Sequence, residues 1–96
     1  MVKSEELAQR KLKELVGDQY TKVETNVGYK TRKYAWEIDL MGRHKDGKVD
    51  VYEIKTRPKE ALVKKAAMQL ARARKHFDVA KTFIFYSDSG DIVAVQ

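Results

Sequence analysis

The chain has 96 residues, which suits one domain, and 43% of them are hydrophobic, which is enough for an apolar interior. Its 20 Lys and Arg residues outnumber its 14 Asp and Glu residues, and the net charge of +6 favours a polyanionic partner such as nucleic acid. The absence of cysteine excludes disulfides, thiol nucleophiles and Cys-ligated zinc, and two histidines are too few for a histidine-rich metal site, so any metal must be held by oxygens.

The first half of the chain predicts one helix followed by three strands. Residues 4–16 begin with Ser4 as N-cap, end before Gly17 and carry an apolar face made of Ala8, Leu12 and Leu15. A period of two then predicts strands over residues 22–27, 34–41 and 49–55. Turns are expected at residues 28–33 and 42–48.

The second half predicts a long helix and two more strands. Residues 59–77 carry an apolar face, and Pro58 is expected in the first helical turn. Strands follow at residues 81–86 and 92–95. The order is helix, three strands, helix, two strands, so we predict one α+β domain over residues 1–96, with helices packed on a mixed sheet.

Location and self-association are also predicted from the sequence. No apolar run approaches the roughly 20 residues of a membrane span. The N-terminus lacks the apolar segment of a secretion signal. We therefore expect a soluble, cytoplasmic protein without a membrane partner. Because a domain of this size buries only about 60 to 65% of its unfolded surface, a homodimer is also expected.

The residues that carry chemistry lie on the second and third strands. Residues two apart share a face of a strand, so Glu37 projects with Asp39, and Glu53 projects with Lys55. A two-residue turn between the strands would place Asp39 and Glu53 on opposite faces. A three-residue loop ending at Gly47 would pair Asp39 with Glu53 and Glu37 with Lys55. We prefer the second register because it gathers three carboxylates and a lysine.

A metal site is the functional interpretation of this patch. Two adjacent carboxylates repel each other unless a cation lies between them, and Mg²⁺ takes carboxylate oxygens, backbone carbonyls and water. Asp39 and Glu53 are the predicted ligands, and the carbonyl of Ile54 is a third. Lys55 is placed to orient a water or to neutralise a phosphate, which suits phosphodiester hydrolysis. The alternative is a solvated strand face with cross-strand ion pairs.

The segment Glu37-Ile38-Asp39-Leu40, with Glu53-Ile54-Lys55 beginning fourteen positions after Asp39, resembles the PD-(D/E)xK nuclease superfamily. The similarity extends to small RecB-like nucleases and archaeal Holliday-junction resolvases. It implies a restriction-endonuclease-like αβββαβ core, here with a short extra C-terminal strand. By resemblance, Asp39 and Glu53 bind Mg²⁺ or Mn²⁺, and Lys55 assists the attacking water. Ile38 stands where the name-giving pattern has proline.

The resemblance implies two further site residues, one on each helix. Such families often have a Glu on the first helix that reaches the metals, and Glu5 shares the face of Ala8, with Glu6 as a lesser alternative. RecB-like members also carry a Gln on the helix after the Glu-x-Lys strand, which is Gln69 here. The structural alternatives are an acidic residue that favours the helix N-terminus and a Gln at the border of an apolar face.

Basic residues near these motifs are predicted to hold nucleic acid through its phosphates, with steep salt dependence and little sequence preference. They are Lys30, Arg32, Lys33, Arg43, Lys45, Arg57, Lys59 and Lys64. Tyr29, Tyr34 and Trp36 are candidates for stacking on unpaired bases, with packing in the strands as the alternative.

The predicted function is therefore metal-dependent hydrolysis of DNA, selective for junctions, flaps or ends, in repair or recombination. The alternative is a non-catalytic, basic nucleic-acid-binding module that keeps the nuclease fold, as a subunit of a larger repair or recombination complex. Because all three motif residues Asp39, Glu53 and Lys55 are present, we favour the nuclease.

Overall fold

The computed structural model describes residues 2–95, with side chains from Ser4 onward, and shows two α-helices and a five-stranded sheet in this part of the chain. The elements are α1 (Val2–Val16), a 3-10 helix (Gly17–Gln19), β1 (Lys22–Lys30), β2 (Ala35–Arg43), β3 (Val49–Lys55), α2 (Glu60–His76), β4 (Val79–Tyr86) and β5 (Asp91–Val95). The sheet order is β1-β2-β3-β4-β5; β3 and β4 are parallel, and the other neighbours are antiparallel. The predicted α+β class, mixed sheet and extra C-terminal strand are confirmed.

The helix boundaries differ from the prediction at both N-termini. Ser4 lies inside α1 and is not its N-cap. Pro58 precedes α2, because the N-cap of that helix is Lys59, so the proline does not belong to the first turn. Neither helix in residues 2–95 is long and apolar enough to cross a membrane.

The first turn between strands is shorter than the sequence predicts. Gly28 pairs with Glu37 inside the β1–β2 ladder, which continues to the pair Lys30 and Ala35. The expected turn over residues 28–33 is therefore wrong, and residues 31–34 make the connection. Glycine had indicated a turn, but the cross-strand hydrogen bonds continue through it.

The β2–β3 hairpin adopts the preferred three-residue loop. The backbone N–H of His44 donates to the carbonyl of Lys48 at 2.9 Å, and Gly47 has a φ of +91°, in the left-handed region that favours glycine. Leu40 consequently lies opposite Tyr52. This confirms the predicted register for residues 40–43 of β2, whereas the predicted pairs of Asp39 with Glu53 and Glu37 with Lys55 lie beyond the end of the ladder.

The apolar core is divided between the two faces of the sheet. Successive β3 residues Val51 and Tyr52 belong to different clusters, as expected when neighbouring side chains point to opposite faces. The cluster beneath α2 includes Ala66, Leu70 and Ala73, and the cluster beneath α1 includes Ala8, Leu12 and Val16.

The prediction for one residue on the apolar face of α1 is wrong. Leu15 was expected with Ala8 and Leu12, but it is 53% exposed, and Val16 is buried in its place. The buried stripe advances by four residues at each step, so it ends one position later than the sequence pattern indicated.

The alternation of side chains in β1 and β2 is interrupted at Asn26 and Asp39. Ile38 and Leu40 are two apart and should share a face, yet Ile38 packs in the α2 cluster and Leu40 in the α1 cluster. Asn26 has a φ of 53°, an uncommon value for a residue with a side chain, and lies between the pairs that flank Asp39. This local irregularity changes the direction of β2 side chains at Asp39.

Candidate active site

A cleft of about 470 Å³ opens beside the C-terminal end of β3, between residues of α1 and α2. It is called the β3 cleft below. Every residue predicted for catalysis or metal binding lines it: Glu5, Asp39, Glu53, Ile54, Lys55 and Gln69. The alternative Glu6 is not part of its lining. The fold thus brings residues from both helices and two strands into one space.

Asp39 is held by the backbone of the neighbouring strand. Its Oδ2 atom accepts a hydrogen bond from the N–H of Ile54 at 2.8 Å. The backbone pairs of β2 and β3 end at Leu40 and Tyr52, so the Asp39 carboxylate acts as acceptor just beyond the ladder. Burial raises the pKa of Asp39, and the hydrogen bond from Ile54 opposes that rise.

Glu53 is the more deeply buried of the two acids. Only 3% of its surface is exposed. Burial, and then the negative charge of Asp39, raise the pKa of Glu53 to about 8, against the influence of Lys55. Glu53 is consequently mostly protonated at neutral pH when no cation is near, and a cation would favour its ionised form.

Lys55 and Glu5 complete the charged lining of the cleft. The positive charge of Lys55 lowers the pKa of both Asp39 and Glu53, whereas the negative charge of Glu5 raises that of Asp39. Glu5 of α1 and Lys55 of β3 therefore both influence the pKa of Asp39.

The expected charge pair between Glu37 and Lys55 does not form. Glu37 instead accepts a hydrogen bond from Asn26 Nδ2 at 3.1 Å, and the side chains described from Ser4 onward show no ion pair with Lys55. Because the β2–β3 ladder ends at Leu40, it does not bring Glu37 beside Lys55.

The side-chain groups that could bind a divalent cation are few. No three carboxylate, imidazole or thiol groups in the described side chains lie close enough together to hold a metal. Two carboxylates, the half-buried Asp39 and the buried Glu53, do interact, and Mg²⁺ is commonly bound by one or two carboxylates with water and substrate phosphate. An all-oxygen pair of this kind fits Mg²⁺ or Mn²⁺.

Gln69 has an unmet hydrogen-bonding requirement inside the cleft. Its Oε1 atom is buried and has no partner among the described residues. A buried amide oxygen without a donor is costly, so a polar ligand or water at this position would stabilise it. Because Gln69 also lines the β3 cleft, the donor for this oxygen would have to come from there.

Two residues that support Asp39 were not predicted from the sequence. Gln9 is 7% exposed, and its Nε2 atom donates to Asn26 Oδ1 and to the backbone carbonyl of Asp39, each at 3.1 Å. These bonds connect α1 to the irregular part of β1 and β2. A polar residue beside the apolar stripe of α1 was the available signal, but its partners are distant in sequence.

The predicted nucleic-acid-binding residues divide into two groups. Strand β3 runs from the β2–β3 hairpin toward the end of the sheet where residues 31–34 lie. Six of the eight lie in segments at that end of the sheet, although none of them lines the cleft: Lys30, Arg32, Lys33, Arg57, Lys59 and Lys64.

The remaining two, Arg43 and Lys45, lie at the opposite end, about 13 Å or more from Asp39 along β2. Arg43 also pairs with Glu24 at 3.4 Å. These two residues therefore do not flank the cleft, because the β2–β3 hairpin carries them away from it, and their binding to nucleic acid stays a prediction.

Comparison with models of known families and with curated proteins gives no match to this chain. The relationship to PD-(D/E)xK nucleases therefore stays a prediction based on the two strand motifs.

Proposed function

We propose that the protein is a Mg²⁺- or Mn²⁺-dependent deoxyribonuclease of the PD-(D/E)xK type, which hydrolyses phosphodiester bonds in DNA. The observation that carries this proposal is the presence of Asp39, Glu53 and Lys55 in one cleft, where the half-buried Asp39 and the buried Glu53 both have a raised pKa. An acidic pair of this kind beside a lysine suits a site that receives both a cation and a phosphate.

Asp39 and Glu53 would hold the cation, with the Ile54 carbonyl as a further ligand and Glu5 acting directly or through water. When bound, the ion stabilises negative charge on the phosphate and lowers the pKa of the attacking water. Three of these four residues come from adjacent strands, which makes a rigid support for a metal site.

The other polar residues of the cleft have distinct roles in this proposal. Lys55 places a positive charge where it can hydrogen-bond the attacking water and balance charge on the phosphate in the transition state. The Oε1 atom of Gln69, which has no partner among the described residues, would accept a hydrogen bond from a donor that reaches it from the cleft. Ile54 holds Asp39 in one orientation through its N–H group.

DNA is the proposed polyanion because the net charge is +6 and six predicted phosphate contacts lie at the end of the sheet that carries the cleft. We further propose a cytoplasmic homodimer that acts in repair or recombination, alone or in a larger complex. Two copies related by a two-fold axis would present two clefts to opposite strands.

The test is a cleavage assay on end-labelled single strand, duplex, flap and four-way junction, with an RNA strand included, in Mg²⁺, Mn²⁺ or EDTA. Wild type is compared with Asp39→Asn and Lys55→Met. Glu37→Gln is the matched control, since it removes a β2 carboxylate outside the β3 cleft. We expect metal-dependent products from wild type and Glu37→Gln only.

The alternative function, a nucleic-acid-binding module without turnover, predicts a different pattern in the same assay. All four proteins would shift the DNA in a binding gel, and none would produce metal-dependent fragments. That result would contradict the nuclease proposal and leave only the basic surface as functional.

A further inference from the structure

An aromatic side chain lies exposed at the turn between β1 and β2. Residues 30–34 are called the hairpin tip below. Tyr34 is 62% exposed, although it is one of the largest side chains in the protein. It is not needed to fill either core cluster. Most of the ring is therefore accessible to a ligand.

The position of Tyr34 is set by hydrogen bonds around Thr31. The backbone N–H of Thr31 donates to the Tyr34 carbonyl at 2.8 Å. In return, Thr31 Oγ1 accepts from the Tyr34 N–H and from Trp36 Nε1, each at 3.3 Å. The turn therefore presents the ring on a fixed backbone, which lowers the entropy lost when a ligand binds.

Trp36 supports the tip from below. Its ring centroid lies 5.6 Å from that of Tyr34, with the planes inclined by 61°. The guanidinium of Arg72, on α2, lies 3.4 Å from the Trp36 centroid. A concave surface of about 530 Å³ adjoins Trp36 and is also lined by Tyr29 and Lys30. This is a volume in the range of small-ligand sites.

The hairpin tip carries only positive charges, although Glu37 also lines the concave surface beside it. Lys30, Arg32 and Lys33 are all exposed. None of them pairs with a carboxylate among the side chains described from Ser4 onward, and the sequence from residue 25 to residue 36 contains no acidic residue. Three unpaired cations around an aromatic ring suit single-stranded nucleic acid, which offers phosphates to the cations and bases to the ring.

We propose that the hairpin tip binds single-stranded DNA, with Tyr34 stacked on an unpaired base and Lys30, Arg32 and Lys33 on the flanking phosphates. This inference rests on the proposed function, since it identifies which form of DNA reaches the β3 cleft. Tyr34 precedes Asp39 by five residues, or about 16 Å along β2. At a rise of about 3.4 Å, that distance spans at most about five stacked nucleotides. The favoured substrates are consequently flaps and frayed or single-stranded ends.

The test is equilibrium binding in EDTA, where no cleavage occurs, followed through the fluorescence of Trp36, the only tryptophan in the chain. Wild type, Tyr34→Phe and Tyr34→Leu are titrated with a short oligothymidine and with a blunt duplex. Leu15→Ala, an exposed change on α1, is the control.

We expect the oligothymidine to quench Trp36 in wild type and Tyr34→Phe, because both keep an aromatic ring. Tyr34→Leu should weaken oligothymidine binding by roughly 5- to 150-fold, the range for loss of one stacked base, and leave duplex binding unchanged. Leu15→Ala should behave as wild type.

Equal oligothymidine affinity for wild type and Tyr34→Leu would overturn the inference, as would an equal loss for oligothymidine and duplex. Cleavage by the same preparations in Mg²⁺ or Mn²⁺ separates the two proposals. Metal-dependent cleavage with no effect of Tyr34→Leu on binding would contradict only the inference about the hairpin tip. Absence of both binding and cleavage would contradict the nuclease proposal as well.

Discussion

The Oδ2 atom of Asp39 accepts the backbone N–H of Ile54 at 2.8 Å, directly after the β2–β3 ladder ends. The carboxylate of Asp39 thus extends the β2–β3 hydrogen bonding by one step and lies beside Ile54, the residue after Glu53. The geometry of the acidic pair is consequently set by the sheet itself, and loop conformation has little part in it. This arrangement controls how the pair responds to protons and cations.

Metal affinity should rise with pH as Glu53 loses its proton. Because the pKa of Glu53 is raised to about 8, a divalent cation has to displace a proton at neutral pH. Calorimetric titration with Mn²⁺ should show affinity increasing by about tenfold per pH unit below 8 and levelling above it. Glu53→Gln should bind weakly at every pH, and a flat profile for wild type would contradict this account.

The stability of the metal-free protein should fall as Glu53 ionises. Its pKa is raised from 4.5 in the unfolded chain to about 8 in the fold, so the folded state holds the proton more tightly. The contribution to the free energy of unfolding is greatest below pH 4.5 and is lost as pH rises through 8. Urea denaturation in EDTA should give a loss on the order of a few kcal/mol relative to Glu53→Gln.

Two controls make this stability prediction specific. Added Mg²⁺ should recover stability above pH 8 in wild type and not in Glu53→Gln, since a bound ion stabilises only the folded state. If wild type and Glu53→Gln keep parallel pH profiles in EDTA, Glu53 does not titrate as described.

Asn26 should tolerate glycine better than alanine. Both substitutions remove the hydrogen bonds to Gln9 and Glu37, but only alanine is strained at a φ of 53°. Asn26→Ala should therefore be about 1–2 kcal/mol less stable than Asn26→Gly in urea denaturation. Equal stabilities would mean that β1 can change conformation at this position without cost.

Gly42 and Gly28 form a matched pair of strand glycines. A Cβ at Gly42 would lie 2.5 Å from ring atoms of Tyr20, whose hydroxyl donates to Asp50 at 2.8 Å and so resists displacement. A Cβ at Gly28 meets only the Trp36 carbonyl, at 3.9 Å. Gly42→Ala should destabilise by about 1–3 kcal/mol in thermal or urea unfolding. Gly28→Ala should cost nothing, and similar losses for both would show that the Tyr20 contact is not the cause.

Substitution of Gln69 should affect stability and cleavage activity differently. Gln69→Leu removes a buried acceptor that has no partner, so the free energy of unfolding should be unchanged or higher by about 1–3 kcal/mol. The cleavage rate should fall roughly 10- to 100-fold, because an oriented acceptor in the cleft is lost. A less stable protein with an unchanged cleavage rate would assign Gln69 a structural role.

The order of elements and the acidic register could be predicted because both depend on local signals. A period of two marked the strands, and Gly47 supplied the left-handed residue of a three-residue loop. With that loop, Asp39 had to approach Glu53. Arg43 and Lys45 could also have been placed correctly, since a strand that leaves a hairpin ends at the other end of the sheet.

Other features depend on contacts between distant parts of the chain. The change of face at Asp39 requires Asn26 opposite it and Gln9 from α1, and no local pattern predicts their meeting. Burial of Val16 instead of Leu15 depends on how α1 lies on the sheet, because both residues continue an apolar stripe. The exposed position of Tyr34 likewise follows from the Thr31 hydrogen bonds of the shortened turn.

The most direct test of the central claim is the single-turnover rate of DNA cleavage in Mn²⁺ by wild type and Asp39→Asn. Asparagine keeps an oxygen that can accept the Ile54 N–H, so the variant removes the charge and preserves the local geometry. We expect wild type to cleave the DNA, and we expect the single-turnover rate of Asp39→Asn to be lower by roughly 100-fold or more. Equal rates for the two proteins, or no product from wild type, would contradict the assignment of Asp39 as a metal ligand of a nuclease.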